Sequence, residues 1–314
     1  MYFFYNNHKN KNNSIFASNI IKMKVAGFSF IRNANKYDYP IVEAIESILP
    51  ICDEFVIAIG NSEDETLELI KSIKSDKIKI VETTWDDTLR EGGRVLAVET
   101  DKAKSFISKD IDWCFYIQGD ECVHEKYLET IKAEMHKYLD NKKVEGLLFD
   151  YKHFYGSYDY FAHSRNWYRK EIRVIKNLPN ISSYKDAQGF RIDGRKLKVK
   201  PINAEIYHYG WVKPPEGYLL KVKDFNKLWH SDEAIKENKE FNIESFDFHN
   251  AGKLYHFNES HPAVMQNRIN NKNWKFDFDL TLIKNKQKIK HSILDFIERI
   301  TKYRFFEYKN YTKI

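Results

Sequence analysis

The chain has 314 residues, 42% of them apolar and 31% charged, with a formal net charge of +6. A chain of this length can bury one large core, or one large and one small. No apolar run approaches the ~20 residues needed to cross a bilayer.

The charge is uneven. Nine Lys and Arg against three acids lie between Lys284 and Ile314, which accounts for the whole surplus and leaves residues 1–283 neutral. A basic patch confined to a short tail, with no basic-aromatic module, argues against nucleic-acid binding. Aromatic side chains are abundant (20 Tyr, 22 Phe, 6 Trp). They suit stacking on bases and sugar rings, and equally suit a core. Cys52, Cys114 and Cys122 have no metal-ligand spacing and read as free thiols of a reducing compartment, so the expected location is cytoplasmic. Residues 1–22 are Asn/Lys-rich without an apolar h-region and read as a disordered leader, not a signal peptide.

In chain order, Lys24–Ile31 reads as a first strand ending at Arg32, and Pro40 suits the first turn of a helix carrying Ile41, Ile45 and Ile48. Glu54 to Ile59 is a second buried strand, followed by a turn and a helix from about Asp64 to Ile73. Lys77 to Glu82 is a third strand, and Gly92-Gly93 opens a helix over roughly Arg94 to Ser108. Asp112 to Ile117 is a fourth strand that runs directly into Gln118-Gly119-Asp120-Glu121. Strands alternating with helices predict a doubly wound, mostly parallel α/β sheet.

Beyond the helix that follows His124, strands are expected over Glu145 to Tyr151, around Arg173-Val174-Ile175, and over Lys196 to Ile206, with Tyr207 to Trp211 ending a strand. Residues 152–170 are rich in aromatics, His and Arg, and 231–283 carry no assignable pattern. The expected division is a catalytic domain over 23–215, with a nucleotide half (24–121) and an acceptor half (122–215). A helical or irregular extension (216–283) and a basic amphipathic tail (284–314) follow. In the tail, Ile289, Ile293, Phe296, Ile297 and Ile300 keep helical spacing, fit either to lie on an anionic membrane surface or to pack on the main domain.

In an open α/β sheet, ligands bind at the carboxyl ends of the strands. A transferase for nucleotide-diphosphate sugars needs a nucleotide platform there, a cation on the departing diphosphate, a carboxylate base and an acceptor half. Phe30, Ile31, Arg32, Asn61, Asp64 and Trp85 emerge at such ends, and Gln118 and Gly119 precede the candidate cation ligand Asp120. Asp120 suits Mg or Mn, which prefer oxygen donors and keep substrate phosphates as partners, and His208 would supply a nitrogen or simply an orienting contact from the far side. Asp186, on a turn before Gly189, is the candidate base, while Arg94 and Asp101 share one helix face aimed at the same crevice. Each has a plainer role. Asp64 can cap a helix, Trp85 can be core, His208 can be a structural hydrogen-bonding residue, Asp186 can form a turn, and Arg94 with Asp101 can be a surface pair.

Five segments together resemble family 2 glycosyltransferases of the GT-A fold, over about residues 24–215. Ser62-Glu63-Asp64-Glu65-Thr66 resembles that family's Ser-Thr-Asp-Gly-Thr turn, and Gln118-Gly119-Asp120-Glu121 its Asp-x-Asp-Glu motif. The Arg169–Val174 segment, followed by Asp186–Phe190 and Tyr207–Trp211, looks like a bacterial-type subgroup. The resemblance implies transfer of a sugar from a nucleotide-diphosphate donor to a glycan or lipid-linked acceptor, with inversion, and Mg or Mn on Asp120. Two departures stand out: Gln118 replaces the first Asp, and Ile59-Gly60-Asn61 lacks the acid that reads a uracil base. Two alternatives remain open. One is a sugar-nucleotidyltransferase, which should carry a Gly-rich phosphate loop after the first strand. The other is a non-catalytic carbohydrate-binding or membrane-surface protein on the same scaffold.

Overall fold

The structure, a computed structural model, describes residues 22–89, 91–162, 164–165, 167–237, 253–276, 289–301 and 303–314. Apart from Lys22, the expected leader lies outside the described residues.

Residues 24–121 are built as their periodicity requires. Strand β1 (Val25–Ile31) leads to helix α1 (Ile41–Ile48), then β2 (Glu54–Gly60), α2 (Thr66–Lys71), β3 (Ile78–Thr83), α3 (Arg94–Ser105) and β4 (Trp113–Tyr116). The order β3-β2-β1-β4 is parallel throughout. Alternate side chains serve opposite faces. Val25, Phe55, Ile57, Trp113 and Phe115 pack with α1. Ala26, Phe28, Val56, Ala58, Cys114 and Tyr116 pack with α3. Both faces being covered is why these strands read as unbroken apolar runs. This is the expected doubly wound α/β architecture.

The chain continues through β5 (Glu121–Val123), α4 (Leu128–Lys137), β6 (Gly146–Tyr155), β7 (Ser157–Ala162) and β8 (Lys170–Lys176). Then come β9 (Ile181–Tyr184), β10 (Gly189–Ile192), β11 (Arg195–Lys196) and the 14-residue β12 (Lys198–Trp211). β8 lies antiparallel between β4 and β6, and β12 runs parallel to β6. The carboxyl ends of β1, β4 and β12 therefore share one edge of the sheet with the loop that precedes β8. That edge carries the site.

Three expectations change. The acidic turn after β4 is short, because Glu121 to Val123 pairs with β12 as β5. The unassigned aromatic stretch completes β6 and forms β7, its rings packed against those of β12, as in the stacked Phe154 and Tyr209 at 4.8 Å. The segments expected as separate appendages also contribute strands. After α5 (Pro215–Lys227) and α6 (Asp232–Glu237), β13 (Leu254–His256) pairs with β7. After α7 (Gln266–Asn270) and α8 (Ile289–Thr301), β14 (Thr312–Lys313) pairs with β12.

The tail thus has two parts. On α8, Ile293, Phe296 and Ile300 are 55, 57 and 66% exposed, so these positions of the stripe do not pack on the main domain. Beyond it, Arg169 grips Glu307 through Nε and Nη2 at 2.7 and 2.8 Å, and Tyr311 is buried. Removing residues 303–314 should therefore lower the unfolding midpoint by about 3 °C, the effect of about 2 kcal/mol in a chain of this size. Calorimetry of the truncated chain checks this; an unchanged midpoint would show the docking to be idle.

Candidate active site

A cavity of about 750 Å³ opens at that edge. Phe30, Ile31 and Arg32 enter from the end of β1, Gln118, Gly119 and Asp120 from the end of β4, and His208 and Trp211 from β12. Asp186 reaches it from the β9–β10 turn, Trp85 from the loop after β3, and Lys221 from α5. Nine of the thirteen residues singled out in the sequence line this one space, although they come from five separate segments.

Asp120 is the electrostatic centre. Its Oδ2 lies 3.6 Å from His208 Nε2 and 3.5 Å from Lys221 Nζ, and its side chain is 14% exposed. Burial opposes ionisation, yet His208, Lys221 and Lys213 together hold its carboxyl well below the usual carboxylate range. Lys221 donates to the Gly210 carbonyl at 2.8 Å and sits 5.2–5.7 Å from the rings of Tyr39, Trp211 and Phe225. Behind it, burial and then the charge of Lys221 pull the Lys213 ammonium down to about 7.

Asp120 and His208 fit the divalent cation that the sequence implies. A Cβ built on Gly210 would meet Asp120 Oδ2 at 2.4 Å and His208 Nε2 at 2.7 Å, so glycine leaves open a space flanked by a hard oxygen donor and an imidazole nitrogen. No third His, Cys, Asp or Glu joins them among the described residues. The remaining coordination positions then fall to water and substrate oxygens, which is the habit of Mg and Mn.

Glu121, the other acid of the motif, does different work. It forms a bidentate pair with Arg173, Nε to Oε2 at 2.8 Å and Nη2 to Oε1 at 2.7 Å, both side chains at most 1% exposed. Tyr151 donates to Glu121 Oε1 at 2.7 Å, and the Gln118 backbone N–H to Oε2 at 3.1 Å. Arg173 also donates to the Gln188 carbonyl at 3.2 Å, and Gln118 Nε2 to the Ala187 carbonyl at 3.4 Å. The motif after β4 and the Asp186 turn are therefore tied together through one buried pair.

Asp186 sits between two left-handed residues, Lys185 (φ 56°) and Ala187 (φ 61°). Gly93, itself at φ 69°, would place a Cβ 3.0 Å from Asp186 Cβ and 3.2 Å from Trp229, so only glycine admits this approach. Burial raises the Asp186 carboxyl above its ordinary range. Glu171 is buried and does not line the cavity. Burial, with the nearby Glu121 and Asp186 charges adding to it and Arg173 opposing, pushes it up to about 8.

Four expected donor contacts are corrected. Asp64 accepts from the backbone N–H groups of Thr66 at 3.1 Å and Lys36 at 2.8 Å, so it organises the turn before α2. Asn61 accepts from the Trp85 N–H at 3.1 Å and lines a smaller neighbouring cleft with Asp64. Asp101 accepts from the Ser183 N–H at 2.7 Å, pinning α3 to β9. Arg94 is exposed and away from the cavity, because α3 turns its first residue outward. Lys221, Tyr168 and Trp211 line the cavity without having been singled out. Only the Tyr207–Trp211 run hinted at the last of these.

No protein-family model matches the chain, and no curated protein matches it. Among solved structures, S. aureus TarS 1-349 in complex with UDP is similar at 14% identity and a TM-score of 0.36, over 71% of this chain and 73% of that one. This chain spans 39% of the longer TarS structure. A 4-diphosphocytidyl-2C-methyl-D-erythritol synthase from Anaerococcus prevotii is similar at 14% identity and a TM-score of 0.36, over 61% and 90% of the two chains. Glucosyl-3-phosphoglycerate synthase from Mycobacterium tuberculosis, with Mg2+ and UDP, gives 17% identity, a TM-score of 0.28, and 43% and 44% coverage. Likeness at this level assigns no activity to the chain.

Two outcomes are expected. Arg173→Met leaves the Glu121 charge buried without its partner and should cost about 3–5 kcal/mol in denaturant unfolding; a cost under about 1 kcal/mol would mean the pair organises nothing. Glu171 holds its proton in the fold at pH values where the unfolded chain has lost it, so its contribution is full at low pH and is lost as pH rises towards 8. Glu171→Gln should therefore flatten the decline of stability between about pH 5 and 8, where one proton gives up to about 1.4 kcal/mol per pH unit. Thermal melts of both proteins across that range measure it, and identical slopes would refute it.

Proposed function

We propose that the chain is a glycosyltransferase of the hexosyl type, moving a sugar from a nucleotide-diphosphate donor to a hydroxyl of a glycan or lipid-linked acceptor. The observation that carries this reading is the gathering of Asp120, His208 and Lys221 with Asp186 in one cavity at the strand ends. In this reading Trp85, with the Arg32 guanidinium 5.5 Å from its ring centre and Phe30 at 5.8 Å, offers a platform for the base. Asp120 and His208 would hold a Mg or Mn ion, which when bound supplies charge neutralisation to the departing diphosphate. Lys221 adds a fixed positive charge on the same wall.

Asp186 acts as the base. Its carboxylate takes the proton of the acceptor hydroxyl as that oxygen bonds to the anomeric carbon. The bond from that carbon to the diphosphate oxygen breaks, and its electron pair leaves with the diphosphate. Displacement in one step inverts the anomeric centre. Asp186 is preferred to Glu171 because it lines the cavity, and its raised pKa brings it towards the range where a base is effective. A sugar-nucleotidyltransferase is disfavoured by the segment after β1, Arg32-Asn33-Ala34-Asn35-Lys36, which has no glycine to cradle a triphosphate.

The test is a thermal-shift screen of nucleotide-diphosphate sugars with and without Mn2+. The correct donor at about 100 times its Kd should stabilise the fold by about 2.7 kcal/mol, and Asp120→Ala should abolish turnover. Asp186→Asn should keep that donor shift while lowering transfer about 10²–10⁴-fold. If no donor moves the midpoint under either condition, the assignment fails; if Asp186→Asn transfers at the normal rate, the base lies elsewhere.

A further inference from the structure

The large apolar side chains that the fold leaves outside gather in one stretch. Of the twelve that are exposed among the described residues, eight lie between Ile293 and Ile314, so this is a patch and not the usual scatter. Ile293, Phe296 and Ile300 stand on α8, and Tyr303, Phe306 and Tyr308 follow at 52–87% exposure. Arg165 joins the two parts, donating to the Leu294 carbonyl at 2.9 Å and the Phe305 carbonyl at 3.0 Å. Phe306, the most exposed, occupies a turn at φ 59°, where a small residue would fold more easily.

The charges sort around this patch. Two of the tail's three acids are turned inward: Glu298 pairs with Arg165 at 2.9 Å and Arg169 at 3.1 Å, and Glu307 with Arg169 at 2.7 Å. Lysines hold the rim. Lys309 lies 5.2 Å from the Tyr303 ring centre, and Lys196 and Lys185 lie 5.5 and 6.0 Å from that of Tyr308. Protein interfaces are rich in aromatics but poor in lysine. Apolar and tyrosine side chains edged by lysines instead match a bilayer boundary, where rings enter the headgroup region and ammonium groups reach lipid phosphates.

We propose that α8 and residues 303–308 form a docking surface for an anionic lipid bilayer. Ile293, Phe296, Ile300 and Phe306 enter the acyl boundary, while Lys185, Lys196 and Lys309 meet the lipid phosphates. Arg165 and Arg169 fix this surface to the segment that leads into β8, so the bilayer holds the whole domain and not a loose tether. Tyr168, next in the chain to Arg169, lines the cavity, so docking surface and cavity share one segment.

The experiment is flotation of the full chain with two kinds of vesicle, one of pure phosphatidylcholine and one of equal parts phosphatidylcholine and phosphatidylglycerol. No nucleotide sugar is present, so the result is independent of the transferase reading. Wild type should bind the mixed vesicles about 10–100-fold more tightly than the pure ones, and rising salt should release it. Phe306→Ser should lower partition into the mixed vesicles about 10-fold, the effect of withdrawing one ring from an apolar phase, with the unfolding midpoint unchanged. Lys196→Glu combined with Lys309→Glu should lower it at least as much and leave binding to pure phosphatidylcholine unaltered. Failure of wild type to float with the mixed vesicles overturns the proposal, as does equal binding to both kinds of vesicle. Equal flotation of Phe306→Ser and wild type also overturns it. If wild type does not float but sediments as a dimer that Phe306→Ser converts to monomer, the surface joins two copies of this chain and the bilayer assignment falls.

Discussion

The buried pair between Glu121 and Arg173 is what the site is built on. Two opposite charges taken wholly out of water repay their desolvation only with good geometry and further hydrogen bonds. Here Arg173 meets Glu121 through two parallel bonds, and its remaining donors reach the backbone carbonyls of Ile172 and Gln188. Glu121 in turn accepts from Tyr151 and from the backbone of Gln118. Strands β5 and β8, the motif after β4 and the turn bearing Asp186 converge on this pair. A cavity whose carboxylates come from distant segments needs such a fixed reference, because a misplacement of about 1 Å is enough to undo the alignment of groups that must act together.

Above that anchor the charges divide by role. Glu121 is neutralised structurally and withdrawn from chemistry, whereas Asp120, its neighbour in sequence, stays ionised at the cavity wall among Lys221, Lys213 and His208. Asp120 ends the turn after β4 while Glu121 opens β5, so the first acid faces the cavity and the second the core. Asp186 and Glu171 differ in the same sense: both are raised by burial, but only Asp186 lines the cavity.

The weakest expectations concerned residues whose type suits several jobs. Asp64, Asn61 and Asp101 each spend their side chains on nearby backbone N–H groups. Short polar side chains compete well for such groups. Arg94 satisfied a helical-face argument, but the phase of α3 places Val95 and Leu96 in the core and leaves Arg94 exposed.

The order and type of the elements from β1 to β4 were legible in the chain, since strands buried on both faces need unbroken apolar runs and their helices need amphipathic ones. So was the placement of Gln118, Gly119 and Asp120 at a strand end, and of Asp186 on a turn. Which side chains meet across the sheet was not. The register of β12 against β6 sets His208 against His153, α5 delivers Lys221 to Asp120, and β14 closes on β12 from the far end of the chain. Periodicity reports which face of an element is buried. It carries no information about the partner buried against it, and that partner decides whether a carboxylate is a turn former, half of an ion pair or a ligand.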